Sequence, residues 1–241
     1  MKKTIAFLLF TLLSISLHSQ WGKTVKGNGS MTTENRSVED YASLGVSGWF
    51  DVELVDGEEG KLELRGESNL LEHVVTNVSN GKLSIKVEKG YSLKPSKMSG
   101  GITVIVPVES IDAIALSGSG DIVGKTTIKT SNFKTSMSGS GDISLDIQAE
   151  SISASMSGSG DIVLSGRTGD FDATISGSGD IKAYDLEADH VEATISGSAD
   201  IKITVNESLK ARVSGSGDIS YKGNPKKIDT KTSGSGDITK A

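Results

Sequence analysis

Seven aspartates carry the most regular chemistry in this chain. They stand at Asp121, Asp142, Asp161, Asp180, Asp200, Asp218 and Asp237, so the successive intervals are 21, 19, 19, 20, 18 and 19. Six of them close the pentapeptide Ser-Gly-Ser-Gly-Asp, and Asp200 closes the variant Ser196-Gly197-Ser198-Ala199-Asp200. Carboxylates repeated at a fixed interval could line up as a row of calcium ligands. Calcium wants six or more oxygens, and one Asp per repeat supplies few of them. The run Gly-Ser-Gly-Asp-Ile-x-Leu matches the calcium-binding nonapeptide only in part, because its Gly-to-Asp spacing is one residue short and its period is about twice as long. A structural turn or ladder is therefore the expected role of the pentapeptide, with a calcium row of these seven aspartates as the alternative.

Other reactive side chains do not converge. His73 and His190 adjoin Glu72 and Asp189, but neighbours on a strand point to opposite faces. Each histidine reads as a surface residue. Glycoside hydrolysis needs two carboxylates in unlike environments, whereas the aspartates here are equivalent by repeat. Gly118-Ser119-Gly120 opens no helix, so it is not a phosphate loop. With no Cys in 241 residues, there is no disulfide, thiolate metal site, cysteine nucleophile or lipid-modified cysteine. With 25 Lys and Arg against 31 Asp and Glu and no long basic run, nucleic acid is not an expected partner. No catalytic residue, cofactor or metal site is assigned.

The elements that position the aspartates follow from the residues around them. Phe133-x-Thr135-x-Met137, Ile152-x-Ala154-x-Met156, Phe171-x-Ala173-x-Ile175, Val191-x-Ala193-x-Ile195 and Leu209-x-Ala211-x-Val213 precede the motif, and an Ile follows every Asp. That period of two marks strands with one buried face. A recurrence of about 19 residues, with strands and no amphipathic helix, predicts a parallel β-helix, each coil burying its apolar stripe against the next. A propeller blade would need about 40 residues. Within Leu209–Ile219 the odd positions read Leu, Ala, Val, Gly, Gly, Ile, and the even positions 214, 216 and 218 read Ser, Ser, Asp. If the strand runs through, glycine faces a narrow part of the core and Ser-Ser-Asp faces water. If it bends, glycine supplies a positive φ and Asp caps the turn. Ala199 fits the first account better.

Residues 1–19 read as a signal peptide. Met1-Lys2-Lys3 is a basic start, Ile5 to Leu17 is apolar but too short to span a bilayer, and Ser19 is a small residue at the exit. Loss of Lys2 and Lys3 leaves 23 basic against 31 acidic residues, a formal charge of −8. No second run of spanning length follows. Residues 20–35 are expected to be a linker and 36–241 a β-helix domain, with degenerate coils over 36–115 and seven repeats over 116–241.

Further residues extend the pattern toward the N-terminus: Arg36-Ser37-Val38, Tyr41, Leu44-x-Val46-x-Gly48-x-Phe50-Asp51-Val52-x-Leu54, Leu62-x-Leu64-x-Gly66, Asn69-Leu70-Leu71, Gly81-Lys82-Leu83-x-Ile85 and Ile102-x-Val104-x-Val106-Pro107. Together with the repeats, these resemble the bacterial DUF2807 family, the putative auto-transporter adhesin head GIN domain, from about Arg36 to Ala241. The resemblance implies a right-handed parallel β-helix exported to the envelope of a Gram-negative, Bacteroidetes-like bacterium. It places the chain in the periplasm, at the outer-membrane surface or outside the cell. With no C-terminal barrel or sorting domain evident, literal autotransport is not expected.

Val46 to Leu54 aligns with Ile175 to Ala183, so Trp49 and Phe50 replace Ser-Gly in a first, atypical coil and are expected to fill or close its end. At the other end the last coil is expected to form an oligomer interface or to be shielded by Lys231 and Lys240. The function expected is a non-enzymatic adhesin or binding module for a glycan or a surface protein. The alternatives are an envelope assembly protein docking through a coil end and, remotely, a polysaccharide-active β-helix enzyme. Trp21, Trp49, Tyr91, Tyr184 and Tyr221 are the aromatic candidates for contact with a ligand.

Overall fold

Each Ile that follows a motif aspartate stacks on the Ile of the neighbouring coil, and this column sets the architecture. Ile122, Ile143, Ile162, Ile181, Ile201 and Ile219 are each fully buried and in register. A computed structural model describes residues 22–96 and 100–241. The expected signal peptide over 1–19 and Trp21 lie outside the described residues.

The strands are β1 (Lys23–Lys26), β2 (Met31–Ser37), β3 (Ser43–Gly48), β4 (Asp51–Asp56), β5 (Lys61–Glu67), β6 (Val74–Ser79), β7 (Lys82–Val87), β8 (Tyr91–Lys94), β9 (Thr103–Val108) and β10 (Ala113–Gly118). They continue as β11 (Ile122–Met137), β12 (Ile143–Met156), β13 (Asp161–Ile175), β14 (Asp180–Gly197), β15 (Ile201–Gly215), β16 (Ile219–Gly223), β17 (Lys227–Gly234) and β18 (Ile238–Lys240). The one helix among the described residues, α1, is Ser68–Leu71.

From β10 onward every pairing is parallel, in a solenoid of about seven turns some 19 residues apart. The core between the two sheet faces is built from columns. Phe133, Ile152, Phe171, Val191 and Leu209 form one, and the small Thr135, Ala154, Ala173, Ala193 and Ala211 form the next. Alternating bulk and smallness lets the two faces interdigitate at interior density. Unequal repeat lengths are absorbed away from the motif. Ile122 pairs with Ile143, whereas Thr127 pairs with Asp146, an interval shorter by two after an irregularity between Val123 and Thr127.

The chain before β10 departs from a simple run of coils. β3, β4, β9 and β10 do stack in parallel. Between β4 and β9 the chain makes an excursion in which β5 pairs antiparallel with β2 and β9, and β6 pairs antiparallel with β7. The stretch 20–35, expected as a linker, contains β1 and the start of β2, and β1 forms a separate two-stranded parallel sheet with β8. Side chains fasten this end. Arg36 donates to the carbonyls of Leu71 and Val74 and pairs with Glu34. The buried Glu67 carboxylate accepts from the N–H groups of Gly29 and Ser96. The excursion, rather than Trp49 and Phe50 alone, covers the N-terminal end. Phe50 is fully buried in the core and Trp49 is half-buried beside it, their ring centroids 5.4 Å apart.

Candidate functional site

Each pentapeptide breaks the strand with a bend, one strand ending at or before the first glycine and the next beginning at the aspartate or the Ile after it, while the alternation of exposed and buried positions continues across the break. In all seven motifs both serines are exposed and the second glycine position is buried. The first glycine is half-buried in every motif but the last, where Gly234 lies open at the end of the stack. Glycine is required mainly by the coil below. A Cβ on Gly139 would lie 1.9 Å from the carbonyl oxygen of Gly118, and one on Gly160 would lie 1.8 Å from that of Gly141. The second position takes a side chain in two coils, at Phe50 and Ala199. There the first glycine swings to a φ of +151° at Gly48 and +152° at Gly197, and Gly215 and Gly234 in the coils that follow keep positive values of +136° and +128°. Glycine enters that region without a steric penalty.

The aspartates form a ladder. Asp51 Oδ1 accepts from the N–H of Asp121 at 3.2 Å, and the pattern continues through Asp142 (3.0 Å), Asp161 (2.8 Å), Asp180 (3.3 Å), Asp200 (3.1 Å), Asp218 (3.0 Å) and Asp237 (2.8 Å). The reason lies in the backbone. Before the aspartate, serine N–H groups reach down to the preceding coil, as Ser140 does to the Gly118 carbonyl. After it, the Ile N–H reaches up, as Ile122 does to the Asp142 carbonyl. The Asp N–H sits where the direction reverses, and the carboxylate of the coil below accepts it. One oxygen of each of the carboxylates of Asp51, Asp121, Asp142, Asp161, Asp180, Asp200 and Asp218 is thereby committed. Among the described residues no group of three or more His, Asp or Glu side chains is placed to hold a metal ion. Lys182 bonds the Asp161 carboxylate. That hydrogen bond, with the charges of Asp161, Asp180 and Asp142, holds its ammonium above the usual lysine range, against a smaller opposing effect of burial.

A larger concavity than the ladder offers lies elsewhere on the coils. It is a groove of about 790 Å³ crossing six coils, roughly 24 Å long at the strand spacing of parallel sheets. Its base follows the Phe133-to-Leu209 column. One wall carries Asn132, Ser151, Asp170, His190, Ser208 and Lys227, and the other carries Lys134, Ser153, Asp172, Glu192, Lys210 and Asp229. Neighbours along the walls are bonded. Ser151 donates to Asn132 at 2.7 Å, His190 Nδ1 lies 2.9 Å from Ser208 Oγ, and Lys210 pairs with Glu192 at 2.6 Å. Arg212 pairs with Asp229 at 2.5 Å and holds its carboxyl below the ordinary aspartate range. A second depression, of about 630 Å³, lies over the small side chains of Ser47, Ser117, Ser138 and Ser157.

His190 is thus a groove residue, with Asp170 as its register partner. Asp189 instead accepts from Asn206. His73 pairs with Glu88 at 2.7 Å, not with Glu72, and stacks on Tyr91. Among the described residues, the candidate aromatics Trp49, Tyr91 and Tyr184 each engage a different neighbour. Trp49 contacts Phe50, Tyr91 contacts His73, and Tyr184 lies beneath the Lys222 ammonium.

Known proteins share this fold. A putative adhesin from Bacteroides fragilis superposes with a TM-score of 0.79 at 23% identity, covering 90% of this chain and all of that one. A protein from Parabacteroides distasonis named as a putative lipid binding protein superposes with a TM-score of 0.75 at 26% identity, covering 91% of this chain and all of that one. A putative adhesin from Parabacteroides merdae does so with a TM-score of 0.68 at 20% identity, covering 91% of this chain and 99% of that one. No curated protein matches the chain. The profile of the family described as putative auto-transporter adhesin, head GIN domain, matches residues 40–225, and the chain belongs to that family, DUF2807.

Proposed function

We propose that this chain is an exported, non-enzymatic binding module of the cell envelope that holds an extended glycan or a surface-protein segment in its lateral groove. The groove itself supports this most directly. It runs along the coil axis, and every coil contributes one polar side chain to each wall, so a chain-like ligand would meet fresh hydrogen-bonding partners at each step. Hydroxyl, carboxamide, carboxylate, imidazole and ammonium groups alternate there. That mixture suits a polyhydroxylated chain better than a purely apolar one. The family's adhesin name and the basic, apolar N-terminal segment favour action at or beyond the envelope. The described residues contain no helix long and apolar enough to cross a membrane.

A glycan array and a panel of matrix proteins, probed with the purified protein, test the proposal. Binding that weakens at least tenfold in Asp172→Ala or His190→Ala, with the fold intact by circular dichroism, supports it. Binding indifferent to both substitutions removes the groove from the account, and capture by lipid vesicles alone would replace the glycan or protein ligand. The assembly reading rests on the exposed strand β17 at the C-terminal end of the stack, whose Lys227 and Asp229 also form the last step of the groove walls.

A further inference from the structure

β17 is paired on one side only, with β15, and all eight of its residues are exposed, Ile228 by 51%. The direction of its free backbone groups follows from the coils below. In parallel pairing both groups of a residue point to the same neighbour. Outward-facing residues point down the stack, as Lys134 does to Asp112 and Ser138 to Leu116. Inward-facing residues point up, as Ile122 does to Asp142 and Ile219 to Asp237. In β17 the inward-facing residues are Ile228, Thr230 and Thr232, which continue the columns of Leu209, Ala211 and Val213. Their N–H and C=O groups therefore face the open end, and no described residue pairs with them.

We propose that β17 pairs antiparallel with β17 of a second copy of this chain, about a two-fold axis at Thr230. Directly opposite residues must share a face, which restricts the axis to a residue position. An axis at Asp229 or Lys231 sets like charges opposite one another. An axis at Ile228 sets Thr230 opposite Lys226, which lies before the strand and whose N–H is already given to the Glu207 carbonyl. An axis at Thr232 leaves Asp229 and Lys231 without opposite charges to face. With the axis at Thr230, each Asp229 faces the partner copy's lysine at position 231, and each Lys227 faces a serine. Ile228 is covered by a threonine, and Thr230 meets its own counterpart. The inward-facing residues then form the hydrogen-bonded pairs, matching the direction of their free groups. The Asp229–Lys231 pairs fall at the closer, non-hydrogen-bonded positions. Asp229 gives Oδ2 to Arg212 and keeps Oδ1 for the second copy, while Lys231 makes no ion pair among the described residues. Lysine on an open edge ordinarily discourages strand addition; this register turns it into a contact that favours one partner.

Sedimentation velocity of the protein purified from its host, up to about 1 mM, should show a monomer–dimer equilibrium. Lys231→Asp and Asp229→Lys each set like charges opposite one another twice and should raise the dissociation constant about tenfold. An equimolar mixture of the two variants restores opposite charges and should recover the dimer, an outcome that simple loss of folding cannot produce. In this cysteine-free chain, Thr230→Cys should oxidise to a covalent dimer, since hydrogen-bonded pairs sit about 5.5 Å apart at Cα, within disulfide reach. Ser140→Cys, far from the end, should not. A monomer throughout the concentration range, or a dimer indifferent to both charge variants, overturns the proposal.

Discussion

The aspartate ladder can be taken apart with two substitutions at one position. Asp142 Oδ1 accepts the N–H of Asp161 at 2.8 Å, and Asp142 lies one coil from both Asp121 and Asp161. A hydrogen bond to a charged acceptor contributes about 1.5–3 kcal/mol where water is excluded. The Asp142 side chain is exposed, so about 1 kcal/mol is the fitting magnitude after solvent competition. Repulsion from each neighbouring carboxylate, at a coil spacing near 4.8 Å, is below about 1 kcal/mol in water before salt screening. Asp142→Ala removes both the acceptor and the charge. Asp142→Asn removes the charge but keeps an oxygen in reach of the N–H. Relief of repulsion is common to both, so their difference isolates the hydrogen bond. Asn should be neutral or slightly stabilising, and Ala should fall about 1 kcal/mol below it, or about 2–4 °C in Tm for a chain of this size. Urea denaturation followed by far-ultraviolet circular dichroism reads the difference. Calcium should leave the wild-type Tm unchanged. Equal losses in both variants would refute the acceptor account. A calcium-dependent rise in Tm that Asn abolishes would make the row a cation site.

Gly139→Ala should cost more than about 3 kcal/mol, because the added carbon meets a backbone carbonyl that cannot swing aside; a scan that shows a loss below about 1 kcal/mol would mean the coils separate easily. Thr135 is buried with its hydroxyl unpartnered, so Thr135→Val should raise stability by about 1 kcal/mol, measured by the shift in urea midpoint at unchanged slope. Tyr41 donates to the Pro107 carbonyl at 2.6 Å, and burial, then the charge of Glu59, pushes its ionisation well above the usual phenol value of 10.0. The folded state therefore holds this proton more tightly than the unfolded chain. Its contribution is intact below pH 10.0 and is lost as pH rises beyond it. Tyr41→Phe should cost about 1 kcal/mol at neutral pH and flatten the alkaline fall in stability between about pH 9 and 11.

Much of this fold is legible because the chain supplies its own alignment. Positions that stay constant across coils, the two glycines, the aspartate and the following Ile, are those where each coil touches the next in the same way. Their roles as close contact, acceptor and core column follow from that sameness; Ala199 favoured a strand running through, but the chain bends there, and what carries across the bend is only the alternation of buried and exposed positions. The excursion between β4 and β9 had no such template. Its antiparallel partners, such as Arg36 opposite Leu62 and Val78 opposite Leu83, are specified by tertiary packing rather than by a period, and α1 is too short to leave a helical pattern. The His73–Glu88 pair was illegible for the same reason, being a contact across the open end of the β6–β7 hairpin with no repeat to announce it. The groove was missed although its signal was present. The positions flanking the Phe133-to-Leu209 column change from coil to coil, through Asn132, Ser151, Asp170, His190 and Ser208 on one side alone. In a stacked fold, a position that must support its neighbour cannot vary in this way. Variation in register with a constant scaffold marks surface released from packing, and in this chain it marks the walls of the groove rather than the conspicuous aspartates.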